Sequence, residues 1–240
     1  MSEELDKYGI STLEAISNAP AFNRWTYDLI QPFCKGRIIE LGSGIGNISQ
    51  YFLEEKKDIT LSDLRENYRA YLSNHFSQYQ PNVRSVDMVH PDFNETYADL
   101  IGQFDTVFAL NVVEHIENHA LAVQNAGSLL KPGGCLIILV PAYGWLYNKF
   151  DKELGHFKRF TRKSLRAIFP KEFHILQTAY FNALGIPGWF VSGSLVRNKE
   201  ISSGEMKLFN KLVPIAKAMD AITFDNIGLS VWCVALKPIE

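Results

Sequence analysis

Ile39-Glu40-Leu41-Gly42-Ser43-Gly44-Ile45-Gly46-Asn47 runs a short apolar segment straight into a glycine-rich turn. Glycines at alternate positions let the backbone take positive φ and come close to a ligand or to a neighbouring strand. A helix expected to begin near Asn47 would present its free N–H groups to whatever lies over the turn. Short β-branched runs recur around this segment, at Arg37–Leu41, Asp58–Leu61, Asn82–Val86, Phe104–Leu110 and Cys135–Val140. Longer polar or amphipathic stretches separate them, and Lys131–Gly134 supplies a turn before the fifth. Runs alternating in this way read as βαβ units around a parallel sheet. The fold class is therefore α/β, doubly wound.

On either side the pattern changes. Ser11–Phe33 is expected to be helical, with Leu13, Ile16, Phe22, Trp25, Leu29 and Ile30 as its apolar contacts. Phe173–Phe181 and Gly228–Leu236 read as two further strands. Asn182–Asn226, between them, is too long for a hairpin loop. It holds an apolar stretch broken by glycine and proline over Gly185–Val196, then a helical pattern over Glu205–Phe224 that Pro214 is expected to interrupt. We read this segment as a cap inserted before the last strand.

The 240 residues carry 24 Lys+Arg against 26 Asp+Glu, a formal charge of −2. A surface that grips nucleic acid through counterion release needs a larger excess of cations, so no nucleic-acid partner is expected. No apolar run reaches the roughly 18 residues of a membrane-spanning helix. Met1–Ile10 is acidic and mixed, unlike a secretory leader. Cys34, Cys135 and Cys233 stand singly, with neither disulfide nor zinc spacing, and a reducing cytoplasm is the expected location.

Chemistry concentrates at the strand ends. Asp63, with Leu64 beside it, closes the second strand, where a carboxylate can accept hydrogen bonds from both hydroxyls of a ribose. Asp87, followed by Met88, closes the third, where an adenine would lie. Either aspartate alone could be a helix cap or a turn former; together, after a glycine-rich first turn, they point to a nucleotide. A nicotinamide cofactor prefers Gly-x-Gly-x-x-Gly beneath its pyrophosphate, whereas Gly42, Gly44 and Gly46 are evenly spaced. Glu40 would also repel a pyrophosphate, but it suits a ligand carrying an ammonium and a sulfonium.

Glu40–Asn47 resembles the first motif of the class I S-adenosylmethionine-dependent methyltransferases. Asp63 matches that family's ribose-binding acid and Asp87 its adenine-region acid. Phe104–Ile116 (FDTVFALNVVEHI) is similar to the fourth motif of small-molecule members of the ubiquinone-biosynthesis O-methylating type. Leu129–Gly134 resembles the turn into the fifth strand. The resemblance covers residues 36–140 and implies a Rossmann-like seven-stranded sheet of order 3-2-1-4-5-7-6 with strand 7 antiparallel. It divides a single domain into an N-terminal helical cap segment (1–30), a cofactor-binding core (31–141), an acceptor-side loop with the sixth strand and cap (142–226) and a final strand (227–240). S-adenosylmethionine, leaving as S-adenosylhomocysteine, would lie across Gly42, Ser43, Gly44, Gly46, Asn47, Asp63, Asp87, Met88 and Asn111–Val112–Val113. Trp25 resembles the aromatic that such enzymes place over the cofactor.

Methyl transfer from a sulfonium is an in-line displacement, so alignment of the acceptor and exclusion of water carry most of the catalysis. His115, after the fourth strand, is the first candidate for a general base, and His156, in Gly155–Thr161, is the second. Each could equally be a local structural histidine. Glu114, His115, Glu117 and His119 have the residue types of a divalent-metal cluster, but with no further donor evident, no metal is expected. Lys152, Lys158, Arg159, Arg162, Lys163 and Arg166 form a basic stretch beside the apolar cap. That pairing suits a lipid-linked or other anionic acceptor and a peripheral membrane contact. The apolar cap is equally a possible homodimer patch. Two other functions stay open: a nicotinamide-dependent oxidoreductase, and a non-catalytic binding protein of the same fold.

Overall fold

A computed structural model describes residues 3–192 and 202–239, with side chains from residue 9 onward. The C-terminal part of the expected Gly185–Val196 stretch lies outside the described residues. The chain begins with helices α1 (Glu3–Ser17) and α2 (Pro20–Ile30), where the expected single helix breaks before Pro20. Strand β1 (Ile38–Leu41), helix α3 (Ser49–Glu54), β2 (Ile59–Ser62), helix α4 (Glu66–His75) and β3 (Asn82–Arg84) follow. A short helix α5 (Phe93–Thr96) leads to β4 (Phe104–Leu110), then helix α6 (His119–Ser128) and β5 (Leu130–Pro141). The remainder is α7 (Lys149–Glu153), α8 (Arg162–Arg166), β6 (His174–Phe181), α9 (Gly185–Phe190), α10 (Ser203–Thr223) and β7 (Ser230–Leu236).

These strands form one seven-stranded sheet of order β3-β2-β1-β4-β5-β7-β6, with β7 antiparallel to both neighbours. Alternate residues of the central strands feed opposite apolar layers, as expected of a sheet covered on both faces. Ile39, Leu41, Val107, Ala109, Leu136 and Ile138 pack under Ala122, Val123 and Ala126 of α6. Ile38, Phe108, Ile137 and Leu139 face Phe52 of α3, Ile30 of α2 and Val213 and Ala216 of α10. The strand order reverses between β1 and β4, so their carboxyl ends frame the crevice where open α/β sheets bind ligands.

Three expectations need correction. Helix α10 is continuous through Pro214, which removes only one main-chain hydrogen bond on a helix whose Val213 and Ala216 are buried against the sheet. That burial makes α10 a layer of the sheet sandwich as well as the insertion before β7. It also caps a neighbour: Asn210 Oδ1 accepts from the backbone N–H groups of Ala21 (2.7 Å) and Phe22 (3.3 Å) at the start of α2. Strand β3 stops at Arg84, leaving Asp87 in the following loop. Arg159, expected in a solvated basic stretch, is only 6% exposed. No helix among the described residues is long and apolar enough to cross a membrane.

Candidate active site

The loop after β1 is tied to β2 by its backbone and side chains. Ser43 N–H donates to the Ser62 carbonyl at 2.7 Å, and Ser62 N–H donates to Ser43 Oγ at 3.1 Å. Gly44 N–H donates to Asp63 Oδ2 at 3.0 Å, while Arg65 N–H donates to Asp63 Oδ1 at 2.9 Å. Each Asp63 oxygen therefore keeps a lone pair for a further donor, the requirement for holding a vicinal diol. Burial pushes the Asp63 carboxyl above its usual range, against the pull of those two N–H groups.

Glu40 lies beneath the loop, 4% exposed, with Ser49 Oγ donating to its carboxylate. Burial raises its pKa to about 7, and the hydrogen bonds from Ser49 and Ser43 only partly counter this. Gly42 has φ +77°, and a β-carbon there would stand 2.4 Å from Val112 Cγ2. The ends of β1 and β4 thus meet more closely than a side chain permits. Val112 is held there because the chain turns at Asn111, whose φ is +55°. Buried Val113 belongs to the sheet core.

The other expected cofactor residues divide. Asp87 Oδ1 accepts from Val89 N–H at 2.9 Å, and its own N–H donates to Tyr97 Oη at 2.8 Å. Met88 is buried in the core, and Leu64 is 58% exposed. Trp25 belongs to a packed aromatic cluster. It is 8% exposed and packs on Phe181, ring centroids 4.4 Å apart, inside the layer formed with α10. The residue on the loop is Leu13 of α1, which comes within 2.9 Å of a β-carbon built on Gly44. Its carbonyl accepts from Asn47 Nδ2 at 3.0 Å. Only the apolar spacing of α1 hinted at this contact. A cavity of about 290 Å³ between α1, the loop and α4 is lined by Glu14, Asn47 and His75, and its lining includes neither Asp63 nor Glu40.

Beyond β4 the structure joins residues that are far apart in sequence. His115 and His156 stack edge to face, ring centroids 4.6 Å apart and planes at 80°. Asp151 is fully buried; its Oδ1 lies 2.7 Å from His156 Nδ1 and accepts from Arg159 Nε at 2.8 Å. Burial alone would raise the Asp151 carboxyl, but the contact with His156 and the Arg159 charge hold it below the usual carboxylate range. Arg159 also donates to the Ala142 carbonyl at 3.1 Å and lies 4.4 Å over the Trp189 ring of α9. Burial, followed by the neighbouring His156, lowers the His115 pKa to about 3, which weakens it as a proton acceptor at neutral pH. Burial raises the Glu114 pKa to about 8. Glu117 is exposed and His119 packs on Phe160, so neither joins this group. Asp151 and Arg159 went unread as site residues, because nothing local marks a buried ion pair within a basic stretch.

Residues 39–136 match the family model of the methyltransferase domain. The chain carries a class I S-adenosylmethionine-dependent methyltransferase domain. It is 28% identical over 124 residues to a highly reducing polyketide synthase of Pyrenophora dematioidea, covering 48% of this chain and 5% of that protein. It is 28% identical over 98 residues to a ubiquinone biosynthesis O-methyltransferase of Aromatoleum aromaticum strain EbN1, covering 41% of each. A SAM-dependent methyltransferase from Archaeoglobus fulgidus superposes with a TM-score of 0.59 at 16% identity, covering 90% of this chain and 94% of that one. The chain thus spans 5% and 41% of the lengths of these two sequence relatives, and at 16% identity the structural likeness bears on fold alone.

Proposed function

We propose that the protein transfers the methyl group of S-adenosylmethionine to a small-molecule or lipid-like acceptor. The observation that carries this reading is the pair of buried carboxylates about the loop: Asp63 on its edge with lone pairs to spare, and Glu40 beneath it. The first suits the ribose hydroxyls and the second a cationic amino acid moiety, and the methyltransferase-domain match supports the same cofactor. The bound sulfonium supplies an activated methyl. Held there, it would offer that methyl for in-line displacement by the acceptor's heteroatom. The chain's own task is to align that heteroatom and keep out water, which contributes roughly 7–11 kcal/mol in well-oriented systems. His115 and His156 are the residues we assign to the acceptor. Phe190 and Val191, at 42% and 47% exposure next to the α9 tryptophan that covers Arg159, support an apolar acceptor.

Calorimetric titration with S-adenosylhomocysteine and, separately, NADH tests the reading. Micromolar binding of S-adenosylhomocysteine alone is expected. Binding of NADH alone would transfer the chain to the oxidoreductases, and binding of neither would favour a non-catalytic role. Asp63→Ala should weaken S-adenosylhomocysteine binding by about 1–3 kcal/mol through the lost ribose hydrogen bonds. An unchanged dissociation constant would remove Asp63 from the site.

Glu40 makes the affinity depend on pH. With its pKa near 7, the free protein holds a proton there that must leave when an ammonium group binds. Binding therefore releases a proton, and the dissociation constant should fall as pH rises from about 6 to about 8. Glu40→Gln should flatten this dependence, and a variant that keeps the wild-type slope would locate the titration elsewhere, including on the ligand.

A further inference from the structure

Glu114 closes the short turn after β4 with its side chain fully buried, and neither carboxylate oxygen has a hydrogen-bond partner. Burying a carboxylate without a partner is costly, and such groups in folded proteins call for an explanation. Arg159, the nearby cation, does not supply one, since it donates to Asp151 and to the Ala142 carbonyl. Two imidazoles lie beside the carboxylate instead. One donor atom each from Glu114, His115 and His156 lie within 4.8 Å of one another. His156 is oriented from behind, its Nδ1 against Asp151, which leaves Nε2 for a ligand. A carboxylate behind an imidazole is the usual outer partner of a metal-bound histidine.

We propose that Glu114, His115 and His156 bind one divalent transition cation. Two imidazoles and a carboxylate suit Zn²⁺, Mn²⁺ or Fe²⁺ better than Mg²⁺ or Ca²⁺, which prefer all-oxygen shells. Donors around such an ion at about 2.1 Å stand roughly 3–3.5 Å apart, so the side chains need to draw in by about 1 Å. Three protein ligands leave coordination positions open. The ion's role, unlike its binding, rests on the methyltransferase reading: it would take the oxygen of a hydroxyl acceptor, whose proton then leaves to solvent more readily. The sequence showed only the Glu114–His115 pair; His156 completes the set because the turn after α7 folds back, with Phe157 N–H donating to the Glu114 carbonyl at 2.8 Å.

The test uses the whole chain, free of any polyhistidine tag and stripped with a chelator, titrated with Zn²⁺ and Mn²⁺ by calorimetry. S-adenosylhomocysteine is titrated alongside, with and without the ion. One ion per chain is expected, with affinity reduced by about tenfold or more in Glu114→Gln and in His156→Gln. S-adenosylhomocysteine binding should be unchanged in both variants. Should a variant fold poorly, the visible spectrum of the Co²⁺-loaded wild type reports the donor set: nitrogen and oxygen ligation supports the site, and thiolate ligation or no spectrum overturns it. Non-saturable uptake, or equal affinity in Glu114→Gln, also overturns it. Cofactor binding without ion uptake leaves the methyltransferase reading standing and removes the cation. Ion uptake without cofactor binding does the reverse.

Discussion

Asp151→Ala is expected to cost about 3–5 kcal/mol of folding stability, because it strands the Arg159 guanidinium in the interior. Arg159 is 6% exposed, and Asp151 is the anion it meets, at 2.8 Å. The same carboxylate closes the capping box of α7, its Oδ2 accepting from Asn148 N–H at 2.9 Å, so one half of that box is lost as well. For a chain of this size the loss corresponds to a fall in Tm on the order of 10 °C. Urea unfolding of the purified variant measures it directly. Asp151→Asn keeps the shape and an acceptor while removing the charge, and should fall between the two. A loss below about 1 kcal/mol in Asp151→Ala would mean that water reaches Arg159 and that the pair is not a buried one.

Gly46→Ala should destabilise the protein by roughly 2–5 kcal/mol, from left-handed strain and overpacking together. Gly46 has φ +82°, and a β-carbon there would lie 2.3 Å from Phe76 Cε2 and 3.1 Å from Leu72 Cδ2. Phe76 and Leu72 are buried in the layer that also holds Phe52, and Phe76 also borders the cavity between α1, the loop and α4, so a new methyl group must displace a packed ring. The loop carries the strain to the site: Gly46 N–H donates to the Ser43 carbonyl at 2.9 Å, and Ser43 is bound to β2. Cofactor affinity should therefore fall with stability. Measuring both separates the effects, since a variant of normal stability and normal affinity would show that the loop relaxes around the new methyl group.

The sheet was legible because its signal is local and repeated. Each central strand, such as residues 104–110 or 135–140, is a short β-branched run bounded by turn residues, and all seven expected strands lie within a few residues of the observed ones. Boundaries slipped where pairing decides them. Strand β5 begins at Leu130 rather than Cys135 because Leu130 pairs with Phe104 ahead of a register shift. The glycine-rich loop was equally readable, since positive φ after β1 demands glycine. Trp25 is not legible in this way: one aromatic on an amphipathic helix has the same spacing whether it meets a cofactor or Phe181.

The strand order came with the resemblance of the motifs to a known family; by itself, the sequence determined the strand-forming runs, the glycine-rich loop after β1 and the acid at the end of β2. Each follows from the conformational limits of a few adjacent residues. Tertiary structure alone decided that Leu13 lies on the loop and Trp25 packs on Phe181, that α10 packs on the sheet, and that Arg159 is buried. It also decided that Glu114, His115 and His156 converge. These outcomes depend on contacts between segments far apart in the chain, such as Phe157 with Glu114 and Arg159 with Ala142. A buried carboxylate and an exposed one look alike in sequence, because what separates them is the packing that removes water from one of them.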